Sequence, residues 1–565
     1  MKILTLHVDY INFKPLKKAL KSAGALTDKE KKGEKVKESL VVLTAVEKTD
    51  SVEESVKELV KNIKDVAGQL NVKDIVLYPY AHLSSNLASP GVAVEVFKGA
   101  GEELGKNFNV TSAPFGYYKE FELKVKGHPL SELSREIRTE KKAEEKIDSK
   151  NLLRSIGKSI LDSSRLKKND HRIIGQQMDL FSFSETAPGM VFWHNNGWII
   201  YQELIKFWRE EHKKANYQEI STPQILDKKL WQISGHWEKY RENIFLTDYD
   251  KNVFAVKPMN CPGGILVFKN SPKSYRDLPL RVAELGTVHR QELSGVLGGL
   301  FRVIQFTQDD AHIYCVNEEQ VKEEVIGIIE LISRFYKKFR FEYHVELSTR
   351  PEKKIGSDRM WGMAEKILEK VLKKKKIKFK LNKGEGVFYG PKIDFHIKDS
   401  LGRTWQTATI QLDFAMPERF ELEYTDKDNK KKRPIMLHRT IYGSLERFIG
   451  ILLEHTEGRL MTWLAPVQVR VLSLTSRNEK YGKKVIKQLS KEIPGLRIDA
   501  DFRATTIPAK VKDAEIMKIP YIVVLGGKEE KTGSVALRIR GNQRIKVMKV
   551  GDFVKSLKKE IDERK

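Results

Sequence analysis

The chain has 565 residues, too many for one hydrophobic core and enough for roughly three or four domains. Apolar residues make up 40% and charged residues 32%, which excludes a disordered chain, and no apolar run approaches the ~20 residues of a membrane helix. Lys and Arg outnumber Asp and Glu by 102 to 76, a formal charge of +26 that favours a polyanionic partner, RNA or DNA, over an acidic small molecule alone. A Lys-rich coat for solubility or heat tolerance is the bland alternative. Cys261 and Cys315 are too few for a disulfide framework, and the opening Met1–Asp9 turns polar too soon for a secretory signal. A reducing, cytoplasmic setting without membrane insertion is therefore expected.

In chain order, strand-like runs at Lys2–Val8, Leu40–Val46 and Asp74–Tyr80 alternate with helical periodicity over Ser51–Leu70, predicting an α/β domain over 1–137. Residues 138–179 are charged and helix-prone (Thr139-Glu-Lys-Lys-Ala-Glu-Glu-Lys, then Ser164-Arg-Leu-Lys-Lys-Asn-Asp-His) and read as a solvated linker. Residues 180–465 hold both Cys and most of the His and Trp. A last region, 466–565, alternates again: Val467–Leu474, Tyr481–Glu492, Arg497–Ala500, Ala509–Met517, Pro520–Leu525 and Ser534–Ile539. Two common nucleotide signatures are missing. Gly157-Lys158-Ser159 has Leu152, not Gly, five positions before Gly157, and Gly295-Val-Leu-Gly298-Gly299 has the wrong spacing for a dinucleotide loop. Any ATP chemistry must use another scaffold.

Three segments of the long block carry the chemistry: Lys257-Pro-Met-Asn-Cys261-Pro-Gly-Gly, the stretch from Leu285 to His312, and Leu437-His438-Arg-Thr-Ile-Tyr-Gly443-Ser-Leu-Glu-Arg447. The second predicts a strand, a Gly-bearing turn and a return strand, with Arg290 near one end and Arg302 on the return strand. Two guanidinium forks on one cleft suit a phosphate or a carboxylate, though two surface ion bridges would look the same. Cys261, His312 and His438 offer one thiolate and two imidazoles, a set suited to Zn²⁺ with one position open. Their wide separation equally allows three core residues.

These strings resemble motifs 2 and 3 of the class II aminoacyl-tRNA synthetases, and among them the threonyl-tRNA synthetases. Asn260-Cys-Pro-Gly263, Phe306-Thr-Gln-Asp-Asp-Ala-His312, Phe388-Tyr-Gly-Pro-Lys392-Ile-Asp and Trp405-Gln-Thr-Ala-Thr-Ile-Gln411-Leu-Asp-Phe agree with that family in order and spacing. Motif 1, the dimer-forming element of the class, is similar to a helix Tyr201–Tyr217 running into Gln218-Glu-Ile-Ser-Thr-Pro223. The resemblance runs from about Asp179 to the end.

It implies a threonine–tRNA ligase, which makes threonyl-adenylate from L-threonine and ATP and passes the threonyl group to tRNA(Thr). Two anions must be drawn together and the developing charge stabilised. By correspondence Arg290 binds the α-phosphate and the amino-acid carboxylate, Phe306 stacks on adenine, and Arg302 and Arg447 reach the γ-phosphate. Glu292, Gln406 and Ser444 fall at ATP positions, Lys392 completes the catalytic set, and Mg²⁺ accompanies the nucleotide. One Zn²⁺ per chain, on Cys261, His312 and His438, would take the amino group and hydroxyl of threonine, with Met259, Gln308, Asp310, Tyr389 and Gln411 lining the pocket. The logic is selection: an apolar pocket separates threonine from isosteric valine by only ~100-fold, whereas a site that must engage the hydroxyl rejects valine far more strongly. Serine keeps the hydroxyl and lacks one methyl, worth ~1–3 kcal/mol. A second sieve is expected.

No His-x-x-x-His pair of the bacterial editing kind occurs among the 13 His. Instead residues 1–137 resemble the archaeal-type editing domain related to D-aminoacyl-tRNA deacylases, through His7-Val-Asp-Tyr-Ile, Leu77-Tyr-Pro-Tyr-Ala-His82, Pro114-Phe-Gly-Tyr-Tyr118-Lys119 and His128-Pro-Leu-Ser-Glu132. That implies His82, Tyr118, Lys119 and Glu132 as the site for deacylating seryl-tRNA(Thr), the terminal 2′-hydroxyl of the tRNA sharing the work. Residues 466–565 resemble the anticodon-binding domain of several class II enzymes, implying Glu529 and Arg538 as anticodon contacts; the family's frequent Asn-Glu is replaced here by Ala504-Thr505. The fold class that follows is multidomain α/β and α+β: a deacylase-like editing domain, an antiparallel class II catalytic domain and an α/β anticodon domain. A paralogue that binds tRNA without ligating would have no need to keep Arg290, Arg447 and the ligand trio. A class II enzyme for proline, glycine or histidine would not need the trio together.

Overall fold

The computed structural model describes residues 1–20, 23–48, 50–84, 86–137, 164, 166–250, 252–542 and 544–565. The chain divides into two compact units, Met1–Ser149 and Lys150–Lys565.

In the first unit a six-stranded sheet runs Asn109–Ser112, Asp74–Pro79, Glu34–Ala45, Lys2–Lys18, Tyr117–Val125, with Glu132–Glu136 also paired to Lys2–Lys18. The first three strands are parallel, so their connections must cross over, and the helices Val52–Leu70 and Pro90–Leu104 do so. Leu59, Ile63, Val66 and Ala67 form the helical stripe buried on one sheet face with Leu40, Val42, Ile75 and Leu77. On the other face Val41, Leu43, Val76 and Tyr78 pack against Val8, Ile11 and Phe13. Burial on both faces is why 40–46 reads as an apolar run interrupted by Thr44 alone. The first strand continues ten residues past the expected Val8 because Ile11 and Phe13 prolong its buried face.

The linker expected over 138–179 lies outside the described residues for 138–163 and 165, but its end is packed structure. His171–Gln177 is a helix, capped by Asp170, whose His171 is buried. The His171 Nδ1 lies 2.7 Å from Glu454 and its Nε2 accepts from the Leu300 backbone N–H at 2.9 Å. The high charge density that suggests solvation here conceals a buried polar network.

An eight-stranded sheet organises the second unit, in the order Phe379–Asn382, Glu342–Ser348, Lys392–Lys398, Thr404–Asp413, Ile435–Thr440, Gln305–Cys315, Leu280–His289, Gln218–Glu219. Its six central strands are antiparallel. Ala311, Ile313 and Cys315 join Ile410, Leu412 and Leu437 against the helices Asn195–Lys214, Glu318–Lys338, Asp358–Lys374 and Leu445–Thr456. Because strand side chains alternate, Phe306, Gln308, Asp310 and His312 share the opposite face. The helix expected over Tyr201–Tyr217 instead spans Asn195–Lys214; Asn216, at φ 57°, turns the chain out of it before Gln218 pairs with Val282.

The last sheet orders Ile498–Asp501, Val469–Ser473, Tyr521–Leu525, Ser534–Ile539, Ile545–Lys549, with helices on both faces. Arg497 bridges to Glu203 at 2.9 Å, joining it to the Asn195–Lys214 helix. Among the described residues no helix is long and apolar enough to cross a membrane.

Candidate functional site

The open face of the eight-stranded sheet forms a cavity of about 350 Å³. Met259, Cys261, Arg290, Glu292, Arg302, Phe306, Gln308, Asp310, Tyr389, Gln406, Gln411, His438, Ser444 and Arg447 all line it. Residues from strands far apart in sequence thus converge. Arg290 sits over the Phe306 ring at 5.2 Å and donates from Nε to the Pro258 carbonyl at 3.1 Å, which fixes the direction of its fork. Arg447 is oriented likewise by the Phe301 carbonyl at 2.8 Å. Arg302 lies in the loop before the Gln305–Cys315 strand rather than on it, and pairs with Glu292 at 2.8 Å. Its exposure lets it swing, which a place in the ladder would prevent.

Two of the expected residues stand apart from the cavity linings. Lys392 does not line this cavity: its ammonium is held 2.7 Å from Asp394, which also accepts from Gln406 at 2.6 Å and Thr409 at 3.2 Å. Lys392 therefore faces the wall of the site through Asp394. Glu132, the other, belongs to the first unit and is treated below.

At the inner end, ligand atoms of Cys261, His312 and His438 all lie within 4.8 Å of one another, on buried residues. The strands pair His312 directly opposite His438. Cys261 opens the helix Cys261–Lys269, and the preceding Asn260 nests on Gly286, where a Cβ would meet its Oδ1 at 2.0 Å. That close approach requires glycine. The Nε2 of His438 lies 2.8 Å from Asp413, which leaves Nδ1 for a metal; the buried Nε2 of His312 has no hydrogen-bond partner. Burial, with His438 beside it, pushes the His312 imidazole well below its ordinary value, so it is a neutral donor. A thiol, an orphaned imidazole nitrogen and a second imidazole held by a carboxylate make a donor set that fits Zn²⁺.

Sequence reasoning missed the supports. Asp309 is fully buried and accepts from the backbone N–H groups of Ile441, Tyr442 and Gly443 at 2.9–3.0 Å, shaping the turn that presents Ser444 and Arg447. Burial raises Asp309 and Asp310 to about 6, and Glu446 to about 7. Asp413 and Asp309 both stand inside the quoted strings, and strand alternation alone puts Asp309 on the face away from the cavity. Thr409, Arg439 and Thr440, inside the quoted strings but not singled out, also line the site, as does Tyr240, which had no local signal.

The first unit holds a second cavity, about 590 Å³, lined by Tyr78, Tyr80, His82, Tyr118, Lys119 and Phe121 among others. The Lys119 ammonium donates to the Pro114 and Tyr117 carbonyls at 2.9 and 3.0 Å and lies 5.1 Å from the Tyr78 ring. Burial lowers it to about 8. Glu132 is not there. It pairs opposite Leu6, whereas Lys119 pairs opposite Pro15, nine residues further along the same strand and roughly 30 Å of extended chain. In the last domain Glu529 caps its own helix by accepting from the Gly526 N–H at 2.9 Å, and Arg538 is half-exposed beside Glu515. Ala504 and Thr505 face solvent.

Comparison with known proteins follows these divisions. Residues 244–456 match the tRNA synthetase class II core domain (G, H, P, S and T), residues 1–137 the archaea-specific editing domain of threonyl-tRNA synthetase, and residues 468–560 an anticodon binding domain. The chain is 53% identical to a threonine–tRNA ligase of Carboxydothermus hydrogenoformans over 399 residues, 71% of this chain and 62% of that protein. It is 54% identical to one of Clostridium botulinum over 395 residues, 70% of this chain. It therefore spans less than two thirds of the length of these relatives. A crystal structure of the RNA binding domain of a Cryptosporidium parvum threonyl-tRNA synthetase superposes with a TM-score of 0.67 at 38% identity, over 69% of this chain and 98% of that one. With the class II core, the editing domain and this degree of identity together, the chain belongs to the threonyl-tRNA synthetase family, in its archaeal type.

Proposed function

We propose that the protein is a threonine–tRNA ligase that forms threonyl-adenylate from L-threonine and ATP, charges tRNA(Thr), and deacylates seryl-tRNA(Thr) in its N-terminal domain. The observation that carries the reading is the convergence of Arg290, Arg302 and Arg447 on one cavity whose inner end carries the Cys261, His312 and His438 donors. In this reading one Zn²⁺ held by those three residues supplies a Lewis-acid docking point for the amino group and hydroxyl of threonine. Arg290 takes the threonine carboxylate and the α-phosphate, its fork drawing two anions into attack distance. Phosphate competing for Arg302 displaces Glu292, while Arg447 receives the γ-phosphate from the fixed turn above Asp309. Phe306 offers its ring to adenine once Arg290 engages phosphate. Gln308, Asp310, Tyr389, Gln411 and Met259 wall the amino acid, and Gln406 and Lys392 stiffen the nucleotide side through Asp394. Mg²⁺ travels with ATP.

Editing is assigned to His82, Tyr118 and Lys119, where a held ammonium and a phenol can orient water on a seryl ester. Glu132 is set aside for a single chain. Glu529 and Arg538 are the anticodon candidates, the basic surplus supports the tRNA backbone, and the cytoplasm is the compartment.

The reading is tested by ATP–pyrophosphate exchange. Threonine is expected to support it strongly, serine measurably and valine hardly at all; equal exchange with valine would remove the threonine assignment. Asp413→Asn keeps the shape but removes the anion behind His438, and is expected to weaken Zn²⁺ binding ~10–100-fold in competition with a chelator. A homodimer built on the Asn195–Lys214 helix and the strand after it is also expected. Light scattering at micromolar concentration should then give about twice the 65.1 kDa chain mass; particles of one chain would exclude it.

A further inference from the structure

A second metal-ligating cluster stands on the outer part of the catalytic sheet, away from the Cys261 donors. The strands Glu342–Ser348 and Lys392–Lys398 run antiparallel, pairing His344 with His396 and Glu346 with Asp394. Alternation puts all four side chains on one face. The two imidazoles lie stacked, 4.9 Å apart at 10°. The Glu346 carboxylate spans them, Oε1 3.7 Å from His344 Nε2 and Oε2 3.7 Å from His396 Nε2.

Those separations are too long for hydrogen bonds. They come near the roughly 3.3 Å between neighbouring donors around an ion with ~2.0–2.1 Å bonds in tetrahedral geometry. Asn382 Nδ2 donates to Glu346 Oε2 at 3.1 Å, steadying the carboxylate as an outer partner would. Lys380, at 3.8 Å from Oε1, is three-quarters exposed and free to leave when a cation arrives. His344 is 47% and His396 20% exposed, so the cluster is open to solvent and can keep water in a further position.

We propose that His344, Glu346 and His396 form a second binding site for a divalent first-row transition-metal ion, Zn²⁺ or Ni²⁺ in preference to Mg²⁺. Two imidazoles and one carboxylate select such ions over hard cations, which prefer an all-oxygen set. Asp394 faces Glu346 across the strands and also holds Lys392 and Gln406, so an ion bound here lies one side chain from the nucleotide wall of the catalytic cavity.

The test uses full-length protein without an affinity tag, stripped of metal and titrated with Co²⁺ and Zn²⁺. Wild type is expected to bind two equivalents, and His344→Ala/His396→Ala one. The two sites are separable by colour: Co²⁺ on Cys261 gives a thiolate charge-transfer band, whereas Co²⁺ on His344 and His396 gives d–d bands alone. The double variant should lose the second component and keep the thiolate band; Cys261→Ala should do the reverse. Glu346→Gln, which leaves both rings in place, should weaken the second equivalent selectively. Saturation of folded wild type at a single equivalent that carries the thiolate band, or two equivalents retained in the double variant, would overturn the site. Absence of the thiolate band would count against the Cys261 site alone.

Discussion

Cys261→Ala is expected to abolish bound Zn²⁺ and to lower threonine-dependent pyrophosphate exchange by more than the ~100-fold that losing an outer-shell support costs. The residue supplies the only sulfur of the trio and is itself buried at the start of the Cys261–Lys269 helix. Its removal should leave His312 and His438 as two imidazoles, too few to hold the ion against a chelator. Selectivity should fall with activity. A site that requires the hydroxyl discriminates by ~10⁴ or more, whereas the pocket that remains is apolar and separates threonine from valine by only ~100-fold. Cys315→Ala is the control. That thiol is fully buried on the Gln305–Cys315 strand, on the face opposite His312, among Ala311, Ile313 and the helix-side core. It should keep the metal and lose about 1 kcal/mol of stability. Elemental analysis of the two variants, alongside exchange assays, decides the matter; a metal-free Cys261→Ala enzyme of full activity would end the zinc assignment.

Lys119→Ala is expected to leave threonine activation unchanged while seryl-tRNA accumulates, because the residue lies in the N-terminal unit and the activation cavity lies in the other. The pH dependence separates a working ammonium from a packed side chain. Lys119 titrates near 8 because burial disfavours its charge. Below pH 8 it is an ammonium with two protons spent on carbonyls and one available to the ester. Above it that donor capacity is lost. Enzymatic deacylation, corrected for spontaneous hydrolysis, should therefore fall as pH rises through about 8; a rise would recast Lys119 as a base. Stability runs the other way. Between pH 8 and the ordinary lysine value the unfolded chain holds the proton and the folded chain does not, so stability increases with pH across that window. Lys119→Met should flatten both trends. If wild type and Lys119→Ala misacylate with serine equally, the editing assignment fails while the ligase assignment stands.

How much of this was readable beforehand depended on range. Phe306, Gln308, Asp310 and His312 advance in steps of two, and a strand must put such a series on one face whatever surrounds it. Helical stripes such as Leu59, Ile63 and Val66 are equally local. The family strings added an expected role for each position, and the matched domains agree with the family.

Pairing between distant strands escaped the reading. Cys261, His312 and His438 are widely spaced in the chain and had no motif of their own; only the register that sets His312 against His438 brings the donors within reach. The pairing of Thr404–Asp413 with Ile435–Thr440 supplied Asp413 behind His438, while Lys392 meets Asp394 two residues along its own strand rather than the cavity. Register elsewhere parted Glu132 from Lys119 along a strand longer than its pattern suggested, and paired His344 with His396. Periodicity along one strand is a local property of side-chain direction. Which strand lies beside it, and in what alignment, follows from the burial of whole faces by helices elsewhere in the chain, and only the folded core carries that information.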